Sequence, residues 1–145
     1  MHIRKAKAED LTRIAEMEVF NYRLNFYPIF RSDWFYFEEL QVPKAARKYE
    51  NALESLWVYD DGVVKGFMQV VDSEIKKLFV EPALQGRSIG GKLLDHAVAV
   101  LEARFLWALE KNEKAIAFYE RHGFRPTGDR KYEEDTTEFL IRLER

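Results

Sequence analysis

Apolar positions along the chain change their period several times, and each change marks an element. Leu11, Ile14, Ala15 and Val19 recur at helical spacing, which predicts a helix from Glu9 to about Tyr22 with Asp10 near its positive end. A short strand precedes it at Ile3 to Ala6. A second helical pattern runs from about Pro43 to Leu53, where Pro43 suits a first turn. The period then drops to two. Leu56-Trp57-Val58-Tyr59 and Val63 to Val71 form strands around the turn Asp60-Asp61-Gly62, and Glu74 to Val80 adds a third that Pro82 ends. Ile89, Leu93, Leu94, Ala97, Val98 and Leu101 make one stripe of a helix reaching about Ala103. Phe105 to Leu109 is a short buried strand, and Asn112 to His122 a helix stopped by Gly123. Thr127 to Tyr132 and Thr136 to Leu143 close the chain as a hairpin around Glu133-Glu134-Asp135. The order β-α-α-β-β-β-α-β-α-β-β predicts an α/β sandwich on a mixed sheet.

One stretch escapes this pattern. Nine of the eighteen residues from Phe20 to Phe37 are aromatic, and Pro28 interrupts them. With 145 residues and no repeat or linker, a single domain spanning 1–145 is expected. There is no apolar run long enough for a membrane span. Met1-His2-Ile3-Arg4-Lys5 leads into a polar stretch and not the apolar core of a signal peptide. Cysteine is absent, which removes disulfides, thiolate nucleophiles and thiolate metal sites, and fits a cytoplasmic protein. A net charge of -2 without a basic block gives no footprint for nucleic acid. The three histidines are scattered without metal-ligand spacing, so no metal is expected.

The chemistry concentrates in Gln85-Gly86-Arg87-Ser88-Ile89-Gly90-Gly91, between a predicted strand and a predicted helix. A helix start carries free N–H donors and partial positive charge, and glycines let a phosphate approach the backbone. The spacing from Gly86 to Gly91-Lys92 matches a P-loop, but Leu93 stands where a Mg²⁺-binding hydroxyl belongs. The dinucleotide fingerprint Gly-x-Gly-x-x-Gly does not occur, and it would follow the first strand.

The strand Leu78-Phe79-Val80, the turn Glu81-Pro82-Ala83-Leu84 and this glycine loop resemble motif A of the GCN5-related N-acetyltransferases (GNAT). Asn112-Glu113-Lys114-Ala115-Ile116-Ala117-Phe118-Tyr119-Glu120-Arg121-His122-Gly123-Phe124 resembles the same family's motif B. The two stand in that family's order, separated by one helix and one strand, and the resemblance covers roughly Val63 to Leu143. One departure is Ser88, which replaces the first motif glycine. It keeps its N–H and adds a hydroxyl for a phosphate or a helix cap, but loses conformational freedom if the position is left-handed.

The resemblance implies a mixed sheet of six to seven strands flanked by about four helices, and an acetyl-CoA-dependent N-acetyltransferase. It implies that motif A holds the coenzyme's pyrophosphate. It also implies that pantetheine pairs with the backbone of Leu78, Phe79 and Val80, where one N–H serves as oxyanion donor. Asn112 would bond pantetheine or cap its helix, and Arg87, Lys92 and Lys114 would meet phosphates. Tyr119, on the motif tyrosine, would be the general acid that protonates the departing sulfur; a phenol holds its proton at neutral pH. Some relatives carry a basic glutamate five residues before the motif B asparagine, where this chain has Trp107. Others carry it near the start of the motif A strand, which is Glu74 here, acting directly or through water. Glu110 and Glu81 are alternative carboxylates. Most aromatics of the Phe20–Phe37 segment are expected in the core or in contacts of a homodimer. With Asp33, Glu38 and Glu39, the remainder would receive a cationic small-molecule or peptide amine. The acidic tip Glu133-Glu134-Asp135 would approach a basic acceptor or keep an edge soluble. Rival readings are a non-catalytic acyl-CoA-binding module on the same fold and a Mg²⁺-dependent nucleotide hydrolase.

Overall fold

In the computed structural model, which describes residues 2–145, seven strands form one sheet in the order β1-β2-β3-β4-β5-β7-β6. Met1, the first residue of the amino-terminal stretch discussed above, lies outside the described residues. The strands are β1 (Ile3–Lys5), β2 (Leu56–Asp60), β3 (Val64–Val71), β4 (Glu74–Val80), β5 (Phe105–Leu109), β6 (Arg125–Tyr132) and β7 (Phe139–Glu144). The helices are α1 (Leu11–Asn21), α2 (Tyr27–Phe30), α3 (Val42–Lys48), α4 (Ile89–Ala99) and α5 (Glu113–Arg121).

Strand alternation builds two cores. Leu56, Val58 and Phe67 point to one face and bury against Leu11, Ile14 and Met17 of α1. Tyr59, Met68 and Val70 point to the other face and join Leu93, Leu94 and Ala97 of α4 with Phe124 and Leu143. Each fully buried side chain of this size contributes roughly 1.5–3 kcal/mol.

Three expected boundaries move. Helix α4 stops at Ala99 and not near Ala103, because Val100 is exposed and Glu102 turns left-handed at φ 60°. Helix α3 ends at Lys48. Strand β7 begins at Phe139 and not at Thr136, because residues 133–138 form a loop held by Glu133 N–H to the Glu138 carbonyl. The aromatic segment is helical throughout much of its length. Tyr22–Phe26 and Trp34–Glu39 are π-helical turns flanking α2, in which Pro28 occupies a first-turn position that lacks an N–H partner anyway.

All neighbouring strands pair antiparallel except β4 and β5. That parallel pair touches only at Glu74↔Phe105 and Ile75↔Leu106. Beyond Ile75 the strands diverge, and residues 76–80 of β4 have no partner on that edge. The mixed sheet is thus opened at its one parallel pair.

Candidate active site

The opening between β4 and β5 continues into a cleft of about 1700 Å³ that runs across the molecule. Its two ends have different chemistry.

At one end lies the glycine loop. Gly86 adopts φ 84°, a left-handed geometry that favours glycine, and open space surrounds it. Ser88 is the N-cap residue of α4 with φ 65° and ψ 9°, so the left-handed cost foreseen for a serine here applies. Its side chain makes no capping hydrogen bond, so of the two uses foreseen for the hydroxyl the helix cap is not made. Gly91 lets α5 approach α4: a Cβ there would lie 3.1 Å from His122 Cε1. Gln85, Gly86, Ser88, Ile89, Gly90 and Gly91 all line the cleft, whereas the exposed Arg87 does not. Lys92, Lys114, Arg121 and His122 line the same end, with Asp95 3.6 Å from His122 Nδ1. Cationic side chains and free helix N–H groups converge here, which suits an anionic ligand.

In the middle, the backbone of β4 is available. Glu81 N–H donates to the Lys65 carbonyl at 2.9 Å. With the antiparallel alternation, Phe79 (opposite Phe67) bonds toward β3, while the polar groups of Leu78 and Val80 turn to the gap. The Val80 carbonyl is taken by the Asn21 Nδ2 amide at 2.9 Å, leaving the Val80 N–H and both groups of Leu78 facing the opening. Phe79 contributes its ring, which meets Tyr22 and Phe26 edge-on. Tyr119 faces the gap from α5, wedged against Phe118 and Phe124, and its hydroxyl bonds to no described residue. Burial pushes this phenol up to about 12, so it keeps its proton throughout the physiological range. Asn112 caps α5, its Oδ1 accepting from Ala115 N–H at 3.3 Å, and also lines the cleft.

The other end is aromatic and acidic. Tyr22, Phe26, Phe30, Phe35 and Tyr36 line one wall and Trp107 the floor. The β6–β7 hairpin brings Glu133, Glu134 and Asp135 against them. Glu133 lies close enough to Tyr22 and Tyr36 for its charge to raise both phenols, after burial, which is the larger cause. Asp33, Glu38 and Glu39 do not line this cleft; Asp33 accepts the Tyr27 hydroxyl and Glu39 pairs with Lys44 at 3.3 Å.

Glu74 is also elsewhere. It sits where β4 is still paired with β5, forms an ion pair with Lys76 at 3.3 Å, and does not line the cleft. Glu81 ion-pairs with Arg13 at 3.0 Å, and Glu110 with Arg130 at 3.2 Å.

Sequence reading missed two buried polar residues of α1. Asn21, 1% exposed, donates to the Met17 and Val80 carbonyls and so ties α1 to the end of β4. Glu18, 2% exposed, accepts from the Tyr49 hydroxyl and the Lys77 ammonium, and Lys77 lines the cleft. A signal existed: Glu18 continues the series Leu11, Ile14, Ala15 at helical spacing, so a carboxylate falls on the buried stripe.

A family profile described as "Acetyltransferase (GNAT) domain" matches residues 52–126. A peptidyl-lysine N-acetyltransferase, YjaB of Salmonella typhimurium, is 33% identical over 75 residues, 50% of this chain and 52% of that one. The chain therefore spans about half the length of this curated relative. Among solved structures, an N-acetyltransferase from Staphylococcus aureus Mu50 superposes with a TM-score of 0.79 over 100% of both chains at 16% identity. The PaiA N-acetyltransferase from Thermoplasma acidophilum, solved with coenzyme A, superposes with a TM-score of 0.71 over 99% of this chain and 98% of that one, at 18% identity.

Proposed function

This chain belongs to the GNAT acetyltransferase family, and from that premise we propose that it transfers an acetyl group from acetyl-CoA to a primary amine in a direct ternary complex. The observation that carries the reading is the coincidence of three features in one cleft. A glycine loop opens α4, the unpaired edge of β4 follows it, and the phenol of Tyr119 faces that edge.

The residues fit the coenzyme in order. The N–H groups from Gln85 to Gly91, with Lys92 and Lys114 at the rim, receive the pyrophosphate. Leu78 and Val80 pair with the pantetheine amides as an added strand would. One of their free N–H groups lies where negative charge develops on the thioester oxygen. Tyr119 gives its proton to the leaving sulfur. The acceptor enters from the aromatic end, where the hairpin carboxylates favour a cationic amine. Glu74 does not line the cleft, so the amine's proton reaches it through water and not directly. Nothing in the chain offers a sulfur nucleophile for an acyl-enzyme.

Two measurements test this. Calorimetry should show acetyl-CoA binding stronger than ATP binding, with no Mg²⁺ requirement. Mixing enzyme, acetyl-CoA and a panel of primary amines should release CoA with at least one of them. Binding without release with any amine replaces the transferase by an acyl-CoA-binding module. No binding at millimolar acetyl-CoA ends the proposal altogether.

A further inference from the structure

The two ends of the cleft meet at one buried amide. Asn21 closes α1, is almost fully buried, and lines the cleft. A primary amide offers two donor hydrogens and two acceptor sites. Asn21 uses all of them. Its Nδ2 donates to the Met17 carbonyl at 2.8 Å and to the Val80 carbonyl at 2.9 Å. Its Oδ1 accepts from Gln85 Nε2 at 3.1 Å and from Asn25 Nδ2 at 3.4 Å. The amide cannot flip. Met17 and Val80 present carbonyl oxygens, which only accept, so the nitrogen must face them and the oxygen must face the two amides. A buried amide with every valence used holds its partners fixed relative to one another.

Those partners come from different parts of the site. Val80 ends the unpaired edge of β4, and Gln85 begins the glycine loop. Between them run Glu81 and the short turn Pro82–Leu84. Asn21 thus pins both ends of that turn from α1, and Gln85 Nε2 also lies 3.5 Å from the Val80 carbonyl. Asn25 belongs to the π-helical turn of the acceptor wall.

Resting on the acetyltransferase reading, we propose that Asn21 is a positioning residue for the transfer, with separate tasks for its two polar atoms. The oxygen holds Gln85 and so sets the glycine loop in its binding geometry before the coenzyme arrives. A loop ordered in advance loses less freedom on binding, which favours affinity. The nitrogen occupies the Val80 carbonyl, so the end of β4 offers the thioester an N–H and no free lone pair. A carbonyl left open there would place partial negative charge beside the oxygen on which negative charge develops, which would slow the transfer. Asn21 touches neither substrate in this scheme; it acts through Gln85 on binding and through Val80 on rate.

The test splits affinity from rate, with acetyl-CoA binding followed by calorimetry and turnover by CoA release with the best amine of a panel. Gln85→Met removes the donor to the Asn21 oxygen at an exposed position. It should raise the acetyl-CoA dissociation constant about fivefold, the scale of one hydrogen bond, with kcat at saturation and the melting temperature unchanged. Asn21→Ala should raise the dissociation constant by at least as much and also lower kcat at saturation about tenfold. In the double variant the dissociation constant should be no higher than in Asn21→Ala alone, because Gln85 acts through the amide. An amide that merely supports the fold would lower the melting temperature and leave affinity and kcat of the folded protein as they were. Wild-type affinity in Gln85→Met overturns the proposal whether or not Asn21→Ala folds, and so does a double variant in which the two losses multiply. Wild-type kcat in folded Asn21→Ala overturns the task given to the nitrogen. All these outcomes leave the transferase reading standing, whereas a wild type that neither binds acetyl-CoA nor releases CoA overturns both.

Discussion

The two ends of the cleft are built on opposite principles. The coenzyme end is backbone: N–H groups of a loop, the unpaired edge of β4, and the start of α4. Its side chains are absent at Gly86, Gly90 and Gly91, and the contiguous loop shapes it, with cations of α4 and α5 at the rim. The acceptor end is side chains: rings from two π-helical turns, a tryptophan from β5 and carboxylates from a hairpin more than a hundred residues downstream of Phe26. Backbone recognition fixes a ligand common to many enzymes, because it depends on chain geometry and not on residue choice. Side-chain recognition is free to change from one protein to the next. Substitutions at the two ends therefore separate: those at the coenzyme end move acetyl-CoA affinity, those at the acceptor end move amine turnover.

Tyr119 stands between the ends and carries the largest expected effect. Tyr119→Phe lowers kcat about a hundredfold or more and leaves the acetyl-CoA dissociation constant unchanged. Because the phenol titrates only near 12, its own deprotonation produces no alkaline limb in kcat below about pH 11, and wild type and variant stay parallel across the neutral range. Unchanged turnover would reduce Tyr119 to a packing residue against Phe118 and Phe124.

That contrast also explains what could be read from the residues alone. The order of the main strands and helices followed from periodicity, and β4 and β5 matched residue for residue, β4 because Pro82 ends it and β5 because a short apolar run declares itself. The glycine loop was legible because its geometry is encoded locally, in Gly86 and in the change from strand to helix. That Glu74 lies outside the cleft was not legible, because spacing along a strand says nothing about where the strand stops pairing. The gap opens one residue beyond Ile75, and only the sheet shows that. The π-helical turns were illegible for a related reason. Their side chains are aligned by wide turns that no simple period describes, and Pro28 suggested a break where the chain stays helical. Glu18 and Lys77 lie fifty-nine residues apart and meet only once α1 packs on β4.

The coenzyme end breaks most directly at Gly86. A Cβ there meets no neighbour within 4 Å, so the cost to the fold is chiefly backbone strain at φ 84°. That strain is about 1–2 kcal/mol and is relieved by letting the loop depart from its binding geometry. Gly86→Val should raise the acetyl-CoA dissociation constant about tenfold by calorimetry, with kcat at saturation nearly unchanged. A fall in kcat at saturation would mean that the loop also positions the thioester.

Glu133 tests the acceptor end in isolation. It is half-buried in the hairpin, faces Tyr22 and Tyr36, and forms no ion pair among the described residues. Glu133→Gln should raise KM for a cationic amine about fivefold, with acetyl-CoA affinity intact, the scale of a partly exposed charge contact. The difference should shrink in high salt, since the contact is reached by solvent. An equal loss with a neutral hydroxylamine acceptor would point to hairpin packing and not charge.

The smallest effect, and the one with the opposite sign, belongs to Ser88. Its backbone sits at φ 65° and ψ 9°, where a Cβ costs about 1–2 kcal/mol, and its hydroxyl makes no helix cap in return. Glycine removes that strain but adds freedom to the unfolded chain, which offsets about half of the gain. Ser88→Gly should therefore stabilise the protein by roughly 0.5 kcal/mol, visible as a melting temperature about 1–3 °C higher. Acetyl-CoA binding should tighten slightly, because the strained residue lies within the loop to which we assign the phosphates. A lower melting temperature together with weaker acetyl-CoA binding would show that the hydroxyl itself contacts a phosphate, and that at this one position the coenzyme end also recognises by side chain.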